Sequence, residues 1–265
     1  KMASTQARSP GQVVAFMPCK GGSGSTFLAT NIAYQLSRER SVLLIDLNLQ
    51  FGDALSYVSD IRPSSTMADV ARDIGRLDAS LLAASVVRVA PGFSILPAPD
   101  DLSRAMDVKA EHVDAILQVA LTMYDFVLFD LGPRIDTLAI RVLDRADRIF
   151  PVLQPSLPHV RNVTRLMKVF KSLGYAPGKV ELLVNRSAGG GEIGLSDIRR
   201  SLVGATLTIV PDGGKDVDAS INQGVPLVEM SRGSALAKRL AEIAHTLSPR
   251  QEAAPGFIGR LFRRA

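Results

Sequence analysis

The sequence predicts an α/β fold, a doubly wound, mostly parallel sheet with flanking helices. Three observations carry that prediction. Short apolar runs of strand length alternate with segments of helical apolar spacing along most of the chain, the pattern of strands joined by crossover helices. The first run, 13–17, passes through a glycine-rich turn, Cys19-Lys20-Gly21-Gly22-Ser23-Gly24-Ser25-Thr26, straight into a helical segment. Two further runs, 41–46 and 126–130, end on carboxylates, Asp46 and Asp130.

At 265 residues, with 46% hydrophobic and 22% charged residues, the chain can build one large domain with a full core. Its longest apolar runs, 42–45 and 126–129, fall far below the roughly 20 residues a membrane helix needs. Residues 1–12 are polar and lack the apolar segment of a signal peptide. The single cysteine, Cys19, forms no internal disulfide and no cysteine-rich metal site within one chain. It fits a reducing compartment, so a cytoplasmic protein is expected. A net charge of +5 is meagre for non-specific DNA binding.

Residues 1–11 read as a linker or lead-in. After the glycine-rich turn comes a helix over 26–38 and a strand over 41–46, an order that implies a right-handed parallel unit. The stretch Asp46-Leu47-Asn48-Leu49-Gln50-Phe51-Gly52-Asp53 is then a loop at the ligand end of the sheet. Residues 54–90 show short helical patterns broken at Pro63 and Gly75, followed by a strand over 93–97 and a helix over 109–123 with Val113, Ile116, Leu117 and Ala120 on one face. The alternation continues with strand 126–130, helix 135–145, strand 148–153, helix 156–173 and strand 180–184. A loop at Gly189-Gly190-Gly191, helix 195–202, strand 207–210 and helices 215–222 and 234–247 close one domain over 12–248, with about seven strands. Residues 249–265 form a tail.

The glycine-rich turn dictates the chemistry. Gly21, Gly22 and Gly24 let the backbone wrap an anion without Cβ clashes, and the helix N-terminus adds partial positive charge. A nucleotide phosphate is the expected ligand, with the Thr26 hydroxyl placed to ligate Mg²⁺. Asp130, after four apolar residues, sits where a strand-end aspartate orders magnesium-bound water, and Asp46 ends a second such strand. Either alone could simply cap its strand. Ser25 occupies the position where a P-loop carries lysine.

Lys20-Gly21-Gly22-Ser23-Gly24-Ser25-Thr26, opened by a lysine, resembles the deviant Walker A motif of the ParA/MinD superfamily of dimeric ATPases. The 46–53 stretch, Tyr124-Asp125-Phe126-Val127-Leu128-Phe129-Asp130, Val184-Asn185-Arg186, Pro211-Asp212 and the segment 219–227 together resemble its TadZ/CpaE branch of pilus assembly proteins. The resemblance covers 12–248 and implies a ParA/MinD-like P-loop NTPase fold, ATP or ADP with Mg²⁺, and a homodimer through the nucleotide face. It implies that Lys20 crosses to the partner's phosphates and, with Asp46 and Asp130, serves catalysis. It implies a phosphate cradle from Lys20, Gly21, Gly22, Ser23, Gly24, Ser25, Thr26 and Phe27, and Mg²⁺ held by Thr26, Asp46 and Asp130. Asn185 would hydrogen-bond the adenine, whose donor–acceptor edge an amide matches, while Pro211 and Asp212 flank the base. Pilus secretion or assembly proteins are the implied partners.

Three departures shape the expectation. Ser25 replaces the P-loop lysine, Cys19 stands at the first glycine of the general motif, and Asn48 stands where many hydrolysing relatives carry a second switch I aspartate. Losing a charge-assisted phosphate contact costs about 1.5–3 kcal/mol, roughly 10- to 150-fold in affinity. Hydrolysis suffers more, because the missing ammonium would stabilise charge that grows in the transition state. The expected protein is an ATP-binding dimeric switch that localises or helps assemble a type IVb (Flp/Tad) pilus machine, with weak or absent hydrolysis. The alternative is an active ATPase that positions cargo on membrane or nucleoid.

In the tail, Phe257, Ile258, Leu261 and Phe262 share one helical side opposite Arg260, Arg263 and Arg264. Such a basic amphipathic end suits an anionic membrane surface, which implies a peripheral and polar location at its inner face. His112, His159 and His245 are dispersed without metal-ligand spacing. Arg199, Arg200, Arg232, Lys238 and Arg239 could form one basic face for DNA, although solvated helix faces explain them more simply.

Overall fold

Strands form at each expected position, and one more joins them. The computed structural model describes residues 11–188 and 193–249. Residues 1–10 of the lead-in, the Gly189-Gly190-Gly191 loop and the Phe257 to Arg264 amphipathic pattern lie outside the described residues. The strands are β1 (Gln12–Pro18), β2 (Val42–Leu47), β3 (Val87–Ala90), β4 (Phe93–Leu96), β5 (Phe126–Leu131), β6 (Arg148–Leu153), β7 (Glu181–Ser187) and β8 (Thr206–Pro211). They form one sheet in the order β3-β4-β2-β5-β1-β6-β7-β8, parallel throughout except for β3 against β4. β2 and β5 are buried at every position, which explains their unbroken apolar sequences: a strand covered on both faces has no solvent side to mark with polar residues.

The two faces of the sheet carry separate cores. Val13, Ala15 and Met17 pack with residues of α5 (Ala110–Met123), α6 (Thr137–Arg145), α7 (Leu157–Ser172) and α8 (Leu195–Ser201). Val14 and Phe16 pack with α1 (Ser25–Leu36) and α11 (Ala235–Leu247) on the other side. Short helices fill the connections: α2 (Met67–Arg72), α3 (Ala79–Ser85), α4 (Leu102–Ala105), α9 (Gly214–Gln223) and α10 (Leu227–Met230). β1 leads through α1 to β2, two places away, with β5 between them. The carboxyl ends of these three strands therefore lie side by side, where doubly wound sheets hold their ligands.

Two expectations are corrected. The sheet has eight strands instead of about seven, because 87–90 closes a short hairpin onto β4 through Pro91 and Gly92. Four residues are too few to display alternation, and the turn is held by a close approach: a Cβ on Gly92 would lie 2.3 Å from the Ser37 carbonyl oxygen. The five basic residues considered for a DNA face do not share one. Arg199 and Arg200 ride on α8, packed against one side of the sheet, whereas Lys238 and Arg239 ride on α11 against the other. Arg239 is tied to the Ile209 carbonyl and to Glu242, both at 2.7 Å, and Arg232 pairs with Glu229 at 3.5 Å.

Candidate functional site

The turn after β1 is held open from behind. Gly22 (φ 79°) and Gly24 (φ 87°) adopt left-handed backbone, which lets the chain reverse and enter α1 with Gly24 as its N-cap. Three side-chain amides from distant segments then fasten carbonyls of the loop. Gln154 Nε2 donates to Gly22 O at 2.7 Å, Asn162 Nδ2 to Cys19 O at 3.1 Å, and Asn185 Nδ2 to Ser23 O at 2.9 Å. With these carbonyls engaged, the loop offers N–H groups and the α1 N-terminus to the crevice, an arrangement suited to an anion. Cys19 offers its carbonyl to this fastening, and burial pushes its thiol up to about 12.

In front of the loop lies a cavity of about 430 Å³, the size of a small-molecule site. Gly21, Gly22, Ser23, Gly24, Ser25, Thr26 and Phe27 all line it, together with Asn185 and Asp212, so most of the predicted cradle converges. Pro211 ends β8 one residue before Asp212, and Val217, Ile221 and Leu236 complete an apolar wall at that end. Lys20 does not line the cavity. Its side chain is exposed, and its charge is felt by His159 at the start of α7.

Asn185 is already engaged. A Cβ on Gly24 would come within 2.3 Å of its Nδ2, so the amide packs closely against the glycine. Beyond its bond to Ser23, its Oδ1 accepts the Arg186 N–H at 2.9 Å. One Nδ2 hydrogen and one oxygen lone pair remain for a base. Asn185, Gln154 and Asn162 therefore act first as fasteners of the loop. Gln154 and Asn162 carry no sequence signal for this role, since each meets the loop only through tertiary contact.

Asp46 and Asp130 come together as the strand-end pattern predicts. They are register partners on β2 and β5, each 1% exposed. Thr26 Oγ1 donates to Asp130 Oδ2 at 2.7 Å, while Asp130 Oδ1 and Ser25 Oγ are buried without hydrogen bonds. Asp46 accepts the N–H groups of Asn48 and Ala54, both at 3.0 Å. Burial pushes Asp46 up to about 7, against the two N–H bonds and with help from Asp53. Asp130 is held well above the ordinary carboxylate range by burial first and the Asp46 charge second, opposed by the Thr26 hydroxyl and the nearby Ser25. Neither carboxylate lines the cavity wall. The 47–54 loop seals Asp46: a Cβ on Gly52 would lie 2.6 Å from both of its oxygens.

Two buried carboxylates side by side are costly unless a cation or a shared proton compensates them. The orphaned Asp130 oxygen, the Thr26 hydroxyl and the Asp46 carboxylate form a set of hard oxygen donors that fits Mg²⁺. Among the described residues no group of three or more His, Cys, Asp or Glu could hold a metal by itself. The three histidines stay apart: His112 accepts the Lys109 N–H at 3.2 Å, His159 is buried on α7 and His245 is exposed on α11.

Residues 11–177 match the family model described as an AAA domain. The chain is 23% identical over 245 residues to the septum site-determining protein MinD of Thermotoga maritima, covering 89% of this chain and 88% of that protein. It is 28% identical over 174 residues to the chromosome partitioning protein ParA of Caulobacter vibrioides, covering 61% of this chain and 63% of that protein. The solved structure of a ParA family ATPase from Chlorobium tepidum superposes with a TM-score of 0.84 at 28% identity, covering 90% of this chain and 99% of that one. MinD from Pyrococcus horikoshii, solved with Mg-ADP, superposes with a TM-score of 0.75 at 20% identity, covering 90% and 96%.

Proposed function

Since the chain belongs to the ParA/MinD superfamily of P-loop ATPases, we propose that it is a dimeric nucleotide switch that binds ATP with Mg²⁺ and hydrolyses it weakly or not at all. Ser25 carries this reading. It stands 5% exposed at the P-loop lysine position, beside the Asp130 carboxyl. The cradle and the carboxylate pair that suit binding are present, and the ammonium that would stabilise transition-state charge is not. Lys20 keeps the role assigned by resemblance, reaching a second copy, while Asn48, a departure from the family pattern, can position water but cannot act as a general base. The exposure of Lys20 and its place off the cavity wall support its outward reach. The sealed 47–54 loop is the element that nucleotide with magnesium would move, since drawing on Asp46 requires lifting Gly52 from its carboxylate.

The biological setting rests on the motifs that resemble TadZ/CpaE proteins: localisation or assembly of a type IVb pilus machine, with a membrane-surface contact through the tail. Steady-state phosphate release tests the chemistry. The native protein should turn over well below about 1 per second, and Ser25→Lys should raise both ATP affinity and turnover. Native turnover near that rate, abolished by Asp130→Ala, would favour the second reading, an active ATPase that positions cargo. That reading draws on the intact Thr26, Asp46 and Asp130 set and on relatives named for septum placement and chromosome partitioning.

A further inference from the structure

We propose that Arg186 supplies from β7 the cation that Ser25 does not, pairing with the phosphates of a nucleotide in the cavity. The inference rests on the nucleotide reading above. Arg186 is the sole Lys, Arg or His among the residues lining the cavity. A bound nucleoside triphosphate carries several negative charges, and Lys20 is not on the wall to meet them.

The backbone aims this side chain. By strict alternation from Leu183, on the α1 side, and Val184, on the opposite side, residue 186 would face the α7 core. Instead the pairing of β7 with β8 shifts register between Val184 and Ser187, and Arg186 takes φ 54°, the one described non-glycine residue in the left-handed region. A bulge redirects a side chain in this way, and a non-glycine residue holds such a conformation only where its surroundings impose it. Here the Asn185 amide imposes it, bonding the Arg186 N–H at 2.9 Å with one end and the Ser23 carbonyl at 2.9 Å with the other. A single side chain thus locks Arg186 to the phosphate loop.

Arg186 forms no ion pair with any carboxylate among the described residues, so its charge is unspent. It bears on the Tyr57 hydroxyl, which also feels Asp53, Asp130 and Asp46. Tyr57 lines the cavity as well. A planar fork of donors suits phosphate oxygens.

Calorimetric titration of ATP, ADP and adenosine in saturating Mg²⁺ tests the role in native protein, Arg186→Gly, Arg186→Lys and the double variant Arg186→Gly with Ser25→Lys. Glycine adopts the left-handed backbone freely, so Arg186→Gly should keep its fold, checked by its melting curve. ATP affinity should fall roughly 10- to 150-fold in Arg186→Gly while adenosine changes less than about threefold. Arg186→Lys, which keeps the charge but loses the planar fork, should retain only part of the affinity, and Ser25→Lys should restore it in the glycine background. ATP binding within about twofold of native in Arg186→Gly, or an equal loss for adenosine as a stacking role predicts, would overturn the inference. Native protein that binds neither ATP nor ADP would overturn the nucleotide reading itself.

Discussion

Replacing Asp46 with Asn should change how the protein's stability depends on pH. Asp46 and Asp130 are buried register partners, and burial pushes Asp46 up to about 7. The folded state therefore holds a proton that the unfolded chain, with a carboxyl near about 4, has already released. Stability from this source is fully present below the unfolded value and is lost as pH rises toward and through about 7. For a group shifted by about three units, the loss between pH 5 and 8 is about 2–3 kcal/mol. Asp130, raised for the same reason and by Asp46 itself, adds loss of the same sign. An amide at position 46 cannot titrate and also relieves Asp130, so Asp46→Asn should remove at least about 2 kcal/mol of the pH 5 to 8 decline. A uniform loss of about 1–3 kcal/mol should accompany it, because an amide cannot accept from both Asn48 and Ala54. His159, lowered by burial and then by Lys20, pulls the other way, yet it is common to both proteins and cancels in the comparison. Urea denaturation at pH 5, 6, 7 and 8 without nucleotide or magnesium reads the difference. A native protein equally stable across that range, or a variant with the native slope, would refute the reasoning. Mg²⁺ with nucleotide should flatten the native slope, since coordination requires the ionised pair.

Gly24→Ala should cost about 2–4 kcal/mol, combining a left-handed alanine with an Asn185 amide forced off the Ser23 carbonyl. Gly21→Ala, whose Cβ meets nothing within 4 Å, should stay within about 0.5 kcal/mol. Equal denaturation midpoints for the two variants would show that Asn185 does not depend on Gly24. Lys20→Ala should likewise leave monomer stability within about 0.5 kcal/mol, since the side chain is exposed, while abolishing ATP-dependent dimerisation in sedimentation velocity. A dimer that persists would remove the assigned reach of Lys20 to a partner.

By itself the sequence determined whatever depends on neighbours along the chain. The apolar runs of β2 and β5, the helical spacing of α5 and α7, the glycines that reverse the loop and the carboxylates ending two strands are local patterns. Each is fixed by backbone sterics, side-chain periodicity and the need of a doubly covered strand for apolar residues on both faces. The tertiary structure decided which distant residues meet. Gln154, Asn162 and Asn185 converge on a loop at 19–26 from more than a hundred residues away, and no periodicity records such a meeting. Tertiary packing alone likewise seals Asp46 under Gly52, keeps Lys20 off the cavity wall and sends the basic residues of α8 and α11 to opposite faces. Periodicity fixes which side of its own element a residue occupies, whereas the order and twist of eight strands fix what lies opposite it. At this site the second relation sets the charge around the phosphate loop.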